Sequence, residues 1–132
     1  MADAYHINAD EGLITVRAPT GLTLPDALTL GQTLLADPAF DNSLPQLIDL
    51  REIAFEPDAE AAQRMHDFML QEYRPAVAAS MAVVINDEMD RAALAALYLL
   101  VCRMGRTELF DNYELALRWL MRIEFASAEA SA

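Results

Sequence analysis

Strand and helix alternate through the second half of this chain, and that alternation constrains its fold more than any other feature. Met81, Ala82, Val83, Val84 and Ile85 form a short apolar run rich in β-branched residues. A long apolar helical pattern follows, from about Asp87 to Met104, and Gly105 is the residue type that best tolerates a left-handed helix end. Thr107, Glu108, Leu109 and Phe110 predict another strand. Asp111, with Glu114 three residues on, predicts the cap of a last amphipathic helix. Two strands joined by a helix of this length pair in parallel, because a parallel pair needs a crossover connection.

The first half extends the pattern. Tyr5 to Asn8 and Leu13 to Ala18 flank Asp10-Glu11-Gly12 and predict a β-hairpin. Thr23 and Asp26 have the spacing of a capping box, with Pro25 in the tolerant first turn. Leu24, Ala27, Leu28, Gly31, Leu34 and Leu35 then form one apolar helix face, ended by Asp37-Pro38. Gly31 on that face costs helix propensity, so it predicts a close approach of another segment. Gln46-Leu47-Ile48-Asp49-Leu50 predicts a strand, and Asp58 the cap of a helix that turns Ala61, Ala62, Met65, Phe68, Met69 and Tyr73 inward until Pro75 interrupts it. The last helix buries Tyr113, Ala116, Leu117, Leu120 and Ile123, with Trp119 mostly covered. The order is β-β-α-β-α-β-α-β-α. Helix N-termini collect at the C-terminal edge of the sheet, where open α/β sheets bind ligands.

The 132 residues fit one α/β domain, residues 1–126, with a frayed polar tail at 127–132. A chain of this length buries roughly two thirds of its unfolded surface and needs no metal or disulfide staple. Its net charge of −12 opposes binding to nucleic acid or anionic lipid through bulk electrostatics. All nine basic residues are arginine, so no lysine is present for a Schiff base or a phosphate-binding loop. The longest apolar run, from Ala92 to Cys102, falls short of the ~20 residues that span a bilayer. No leader pattern precedes the hairpin, and the single cysteine precludes an intramolecular disulfide; both lead us to expect a cytoplasmic protein.

Taken in order, Gly12-Leu13-Ile14-Thr15-Val16 with Leu22-Thr23, Leu47-Ile48-Asp49-Leu50-Arg51, the run from Met81 to Ile85, and Glu108-Leu109-Phe110-Asp111 with Glu114, Ala116-Leu117 and Trp119-Leu120 resemble the SpoIIAA-like, or STAS-type, proteins, which share a fold class with Sec14-like lipid-binding domains. The resemblance covers nearly the whole chain. It implies a mixed sheet of about five strands, an N-terminal hairpin followed by parallel strands, with about four helices mainly on one face. It also implies binding or regulation rather than catalysis. In the phosphoregulated members a serine begins the second helix; here Asp58 stands at that phosphoacceptor-equivalent position, so the serine switch does not carry over.

The strand ends offer the best polar candidates. Asp49, Arg51, Asp58, Asp87 and Asp111 form a candidate binding edge. Carboxylates there can hold Mg²⁺, but Asp87 and Asp111 are explained as helix caps, and we expect no metal and no cofactor. His66 and Asp67 are neighbours on a helix, about 100° apart, and predict a surface histidine rather than an acid–base pair; His6 lies in the hairpin without an argued partner. Cys102, among Leu99, Leu100 and Val101, predicts a buried and inert thiol. The helix carrying it is apolar nearly all round. Leu94, Leu97, Tyr98 and Val101 can cover the sheet, leaving Ala96, Leu99 and Leu100 on other faces. Neighbouring helices, a second copy or a hydrophobic ligand can cover those. With Met65 and Met69, they form a candidate apolar interface or ligand surface.

These readings lead us to expect no enzyme. We expect a regulatory or binding module that self-associates as a homodimer and meets an unidentified protein partner. The alternative is a carrier or sensor of an apolar small molecule or lipid.

Overall fold

Gly12 turns the chain back on itself at a positive φ of 66°, and the two flanking runs pair as a hairpin: β1 (Tyr5–Asn8) against β2 (Leu13–Arg17). The computed structural model describes residues 4–52, 59–86 and 91–131. Three further strands follow: β3 (Gln46–Asp49), β4 (Met81–Val84) and β5 (Thr107–Phe110). They join β2 in parallel, and spatial order equals chain order, β1 to β5. The fold is the expected α/β arrangement with a five-stranded mixed sheet.

Helix α1 (Leu24–Ala36) starts at the expected capping box: Thr23 accepts from the Asp26 N–H, and Asp26 accepts from the Thr23 N–H. Gly31 meets Phe68 of α2 (Ala59–Phe68) so closely that an added Cβ would lie 2.7 Å from the ring. The glycine expected to permit close approach does so. Beyond Phe68 the helix widens into a π turn, Met69–Tyr73, and closes with the short α3 (Arg74–Ala76). Pro75 lies inside that closing turn, after the widening; a proline ring cannot donate a helical bond and crowds the carbonyl one turn back. Ala62, expected to face inward, is exposed.

Helix α4 (Arg91–Met104) buries Leu100, Val101 and Met104, with Leu94 and Leu97 half-buried. Its phase differs from the expectation. Tyr98, placed on the sheet by sequence, is 58% exposed, whereas Leu100, placed elsewhere, is buried. Cys102 is exposed, which corrects the reading of a buried thiol. Gly105 ends α4 at φ 62°, and Arg106 follows at φ 50°. Two arginines clasp this turn to α3 and to the connector before β4: Arg74 Nε donates to the Met104 carbonyl at 2.6 Å, and Arg106 Nη1 to the Ala78 carbonyl at 3.1 Å.

Helix α5 (Tyr113–Ser131) is capped by Asn112, not by Asp111. The Asn112 side chain accepts the Leu115 N–H at 3.1 Å, and its carbonyl accepts the first helical bond from Ala116. The backbone stays helical as far as Ser131, past the change to small polar residues. Trp119 is half-buried rather than mostly buried, tilted against Phe110 with ring centroids 5.6 Å apart.

The sheet separates two cores. On one face Ile14, Val16 and Met81 meet Leu34 of α1, Phe68 and Tyr73 of the α2 region, and Leu100 and Met104 of α4. On the other, Leu13, Leu47, Ala82 and Val84 meet Ala116 and Leu120 of α5. Strand β4, inside the sheet and covered on both faces, is buried at all four positions, as its unbroken apolar run requires. Among the described residues no helix is long and apolar enough to cross a membrane.

Candidate functional site

The candidate polar edge resolves into a brace. Asp49 ends β3 and is buried on the α5 side of the sheet. Its Oδ1 accepts from the Arg51 backbone N–H (3.1 Å) and Nε (2.9 Å), and its Oδ2 from Arg51 Nη2 (2.8 Å). Burial pushes this carboxyl up. The hydrogen bonds from Arg51 and the charges of Arg51 and Arg17 outweigh burial and hold it below its ordinary range. The Arg51 guanidinium in turn lies 5.5 Å over the Tyr113 ring. The pair thus ties the end of β3 to the start of α5, and the carboxylate is committed to that arginine. Asp111 is exposed, and Asp58 and Asp87 lie outside the described residues. The structure brings together Asp49 and Arg51 from the expected edge. Among the described residues no group of three His, Cys, Asp or Glu side chains converges as a metal site.

The candidate apolar set divides. Ala96 and Leu99 lie on the outer face of α4, Leu99 at 66% exposure. Met65, Met69 and Leu100 lie on its inner side, where they line a cavity of about 120 Å³ between the helices and the sheet. Met81 and Met104 complete a set of four methionines around it, with Val16, Ile48 and Val83 as the floor and Leu30 and Gly31 of α1 at one wall. Nearly every lining group is apolar. Methionine, unbranched and polarizable, adapts to an irregular space of this kind.

One polar pair at this level had no clear signal in sequence. Gln46, the first residue of β3, is wholly buried, and Tyr73 of the π turn donates its hydroxyl to Gln46 Oε1. Burial raises the Tyr73 hydroxyl far above its ordinary value, against the opposing effect of that hydrogen bond. Gln46 Nε2 has no partner among the described residues. A glutamine heading a strand, just before the apolar pair Leu47-Ile48, was the available hint. Its partner, 27 residues away in sequence, is the last residue of the π turn.

His66 is half-buried on α2. Its Nδ1 lies 3.6 Å from Asp67, closer than helical geometry led us to expect, and its Nε2 faces Arg103 Nη1 of α4 at 3.3 Å. A guanidinium only donates, so Nε2 is the accepting nitrogen.

No family model matches the chain, and neither curated proteins nor solved structures yield a similar one.

Proposed function

We propose that this chain is a non-catalytic, cytoplasmic binding module of the SpoIIAA-like type, and that it senses a small apolar molecule held between the helical layer and the sheet. The cavity lined by Met65, Met69, Met81 and Met104 carries the reading. For scale, an engineered apolar cavity of about 150 Å³ stays dry and takes up benzene. A volume of about 120 Å³ therefore suits a small aromatic or short alkyl molecule. A lipid chain needs several times that space, so sensing suits this site better than lipid transport. Asp58 at the phosphoacceptor-equivalent position belongs to the same proposal: regulation here depends on occupancy rather than on serine phosphorylation.

The methionine methyls provide the test. With ¹³C-methyl methionine labelling, adding toluene or indole is expected to shift Met65, Met69, Met81 and Met104 saturably while leaving exposed Met121 in place. Uniform shifts, or none at the solubility limit of both probes, would reject the reading.

The outward face of α4 favours a second reading. Tyr98 and Leu99 are 58% and 66% exposed, the pattern of a self-association surface for a homodimer or a protein partner. Sedimentation of the wild type and of Leu99→Glu tests it: a dimer lost in the variant supports it, and a wild-type monomer at high concentration excludes the homodimer.

A further inference from the structure

We propose a second binding surface, independent of the cavity: the open edge of β1 accepts an extended, positively charged peptide as a sixth strand, with alternate side chains entering the groove between β1 and α1. Because β1 ends the sheet, only one of its sides is paired among the described residues. The Arg17 N–H donates to the Ala4 carbonyl at 2.7 Å, which fixes the phase of the antiparallel ladder. Ala4, His6 and Asn8 therefore point their backbone groups at β2, and Tyr5 and Ile7 point theirs at the open edge. Those four groups are a template for another strand.

The groove beside them measures about 790 Å³ and runs along α1 past Leu22, Leu30, Thr29 and Thr33, with Asp26 near one end and Asp37 at the other. The Tyr5 hydroxyl donates to Asp37 at 2.6 Å, holding β1 against the end of α1. Neither carboxylate faces a cationic side chain among the described residues, and no arginine lines the groove. Charge therefore selects the occupant. A second copy of this chain carries a net charge of −12 and would place the same carboxylates against each other. A cationic peptide meets them with the opposite sign.

Spacing narrows the peptide further. Asp37 follows Asp26 by eleven residue steps, roughly 16 Å along α1. Two residues four apart in an extended strand are about 14 Å apart and share a face. Arginines at positions i and i+4, with a small apolar residue between them at i+2, fit both carboxylates and the apolar centre.

Fluorescence anisotropy with labelled Arg-Thr-Val-Thr-Arg-Val tests the proposal. Saturable binding is expected, weakened at least tenfold when glutamate replaces both arginines and similarly by Asp26→Asn with Asp37→Asn. Ile7→Pro removes an N–H that faces the edge rather than β2, and is expected to abolish binding. Since that variant could disturb the hairpin, two N-methylated peptides serve as a second probe. Methylating one alternate set of amides must block strand addition, and methylating the other set must not. No binding up to about 1 mM, the weak limit of specific recognition, would overturn the proposal. So would equal binding of the glutamate peptide, or equal tolerance of both methylated peptides. A dimer of the free protein that Ile7→Pro disrupts would assign the edge to a second copy and equally overturn it.

Discussion

The two faces of the sheet are packed by different means. Against α5, the contact is made by Leu47, Ala82, Val84, Ala116 and Leu120, all effectively without solvent exposure, and is bolted at the strand end by Asp49, Arg51 and Tyr113. Against α1, α2 and α4, the contact is wider and built from flexible methionines, a glycine, a π turn and a buried Tyr73–Gln46 pair, and it leaves a cavity. Close packing rewards stability, whereas an apolar void forfeits it, since the lining atoms lack partners on one side. A single chain thus keeps one face as a scaffold and leaves the other adaptable.

The largest predicted effect breaks the scaffold. Leu120→Ala removes a wholly buried side chain from the close-packed face, and is expected to cost about 3–5 kcal/mol. Met69→Ala, which only enlarges an existing void, is expected to cost about 2 kcal/mol, the low end of such substitutions. Urea unfolding of both variants measures the gap. Equal losses would mean that the two faces are equally packed. Half-buried Trp119 falls between them, and its substitution by alanine should cost less than a fully buried tryptophan would.

Next comes the contact that sets the α1–α2 spacing. Gly31→Ala drives a methyl into the Phe68 ring and is expected to cost about 1–3 kcal/mol by overpacking, although alanine is the better helix former. Phe68→Leu should recover part of that loss in a double-mutant cycle, because the two positions touch. Additive losses would show that α1 and α2 shift apart without strain.

These contrasts follow what sequence could reveal. Gly31, the Thr23–Asp26 box, the hairpin at Gly12 and the Gly105 helix stop were all legible, because each is a local demand of backbone geometry on residue type. The phase of α4 was not. A helix apolar nearly all round has no clear polar stripe, so Tyr98 and Leu100 exchanged places and Cys102 came out exposed. The cap of α5 moved from Asp111 to Asn112 because adjacent Asp and Asn are equally good caps. Of the residues grouped in the candidate apolar set, Met65, Met69 and Leu100 line one cavity, whereas Leu99 and Ala96 lie on another surface. A cavity is a deficit of volume among residues that all read as core, and no residue type announces it.

The Asp49–Arg51 brace predicts a pH dependence. Asp49 titrates below its ordinary range in the folded protein, so its charged form stabilises the fold. That contribution is fully present above the unfolded-state value near 4, and is lost as the pH falls below it toward the folded value. Asp49→Asn keeps the shape but weakens charge-assisted bonds, and is expected to cost about 1–2 kcal/mol at neutral pH. The difference between wild type and variant, measured by urea unfolding, should stay flat from pH 7 to about 4 and shrink below that. A difference independent of pH throughout would detach the carboxylate's charge from stability.

The smallest effect is the sharpest on the comparison, because its sign differs between the faces. Val101→Leu adds a methylene to a side chain that lines the cavity. If the space is empty, the added group gains about 0.5–1 kcal/mol from burial alone. Ala116→Val adds two carbons at a position with no exposure on the opposite face, where α5 already touches the sheet. Overpacking there should cost about 1–3 kcal/mol. Opposite signs in thermal unfolding would fix the asymmetry of the two faces. A destabilised Val101→Leu would mean that the helices have no room to spare above the sheet. The small-molecule reading would then lose the volume it depends on. A stabilised one should also compete with indole for the same methionine methyls, linking the void that weakens the fold to the occupancy that uses it.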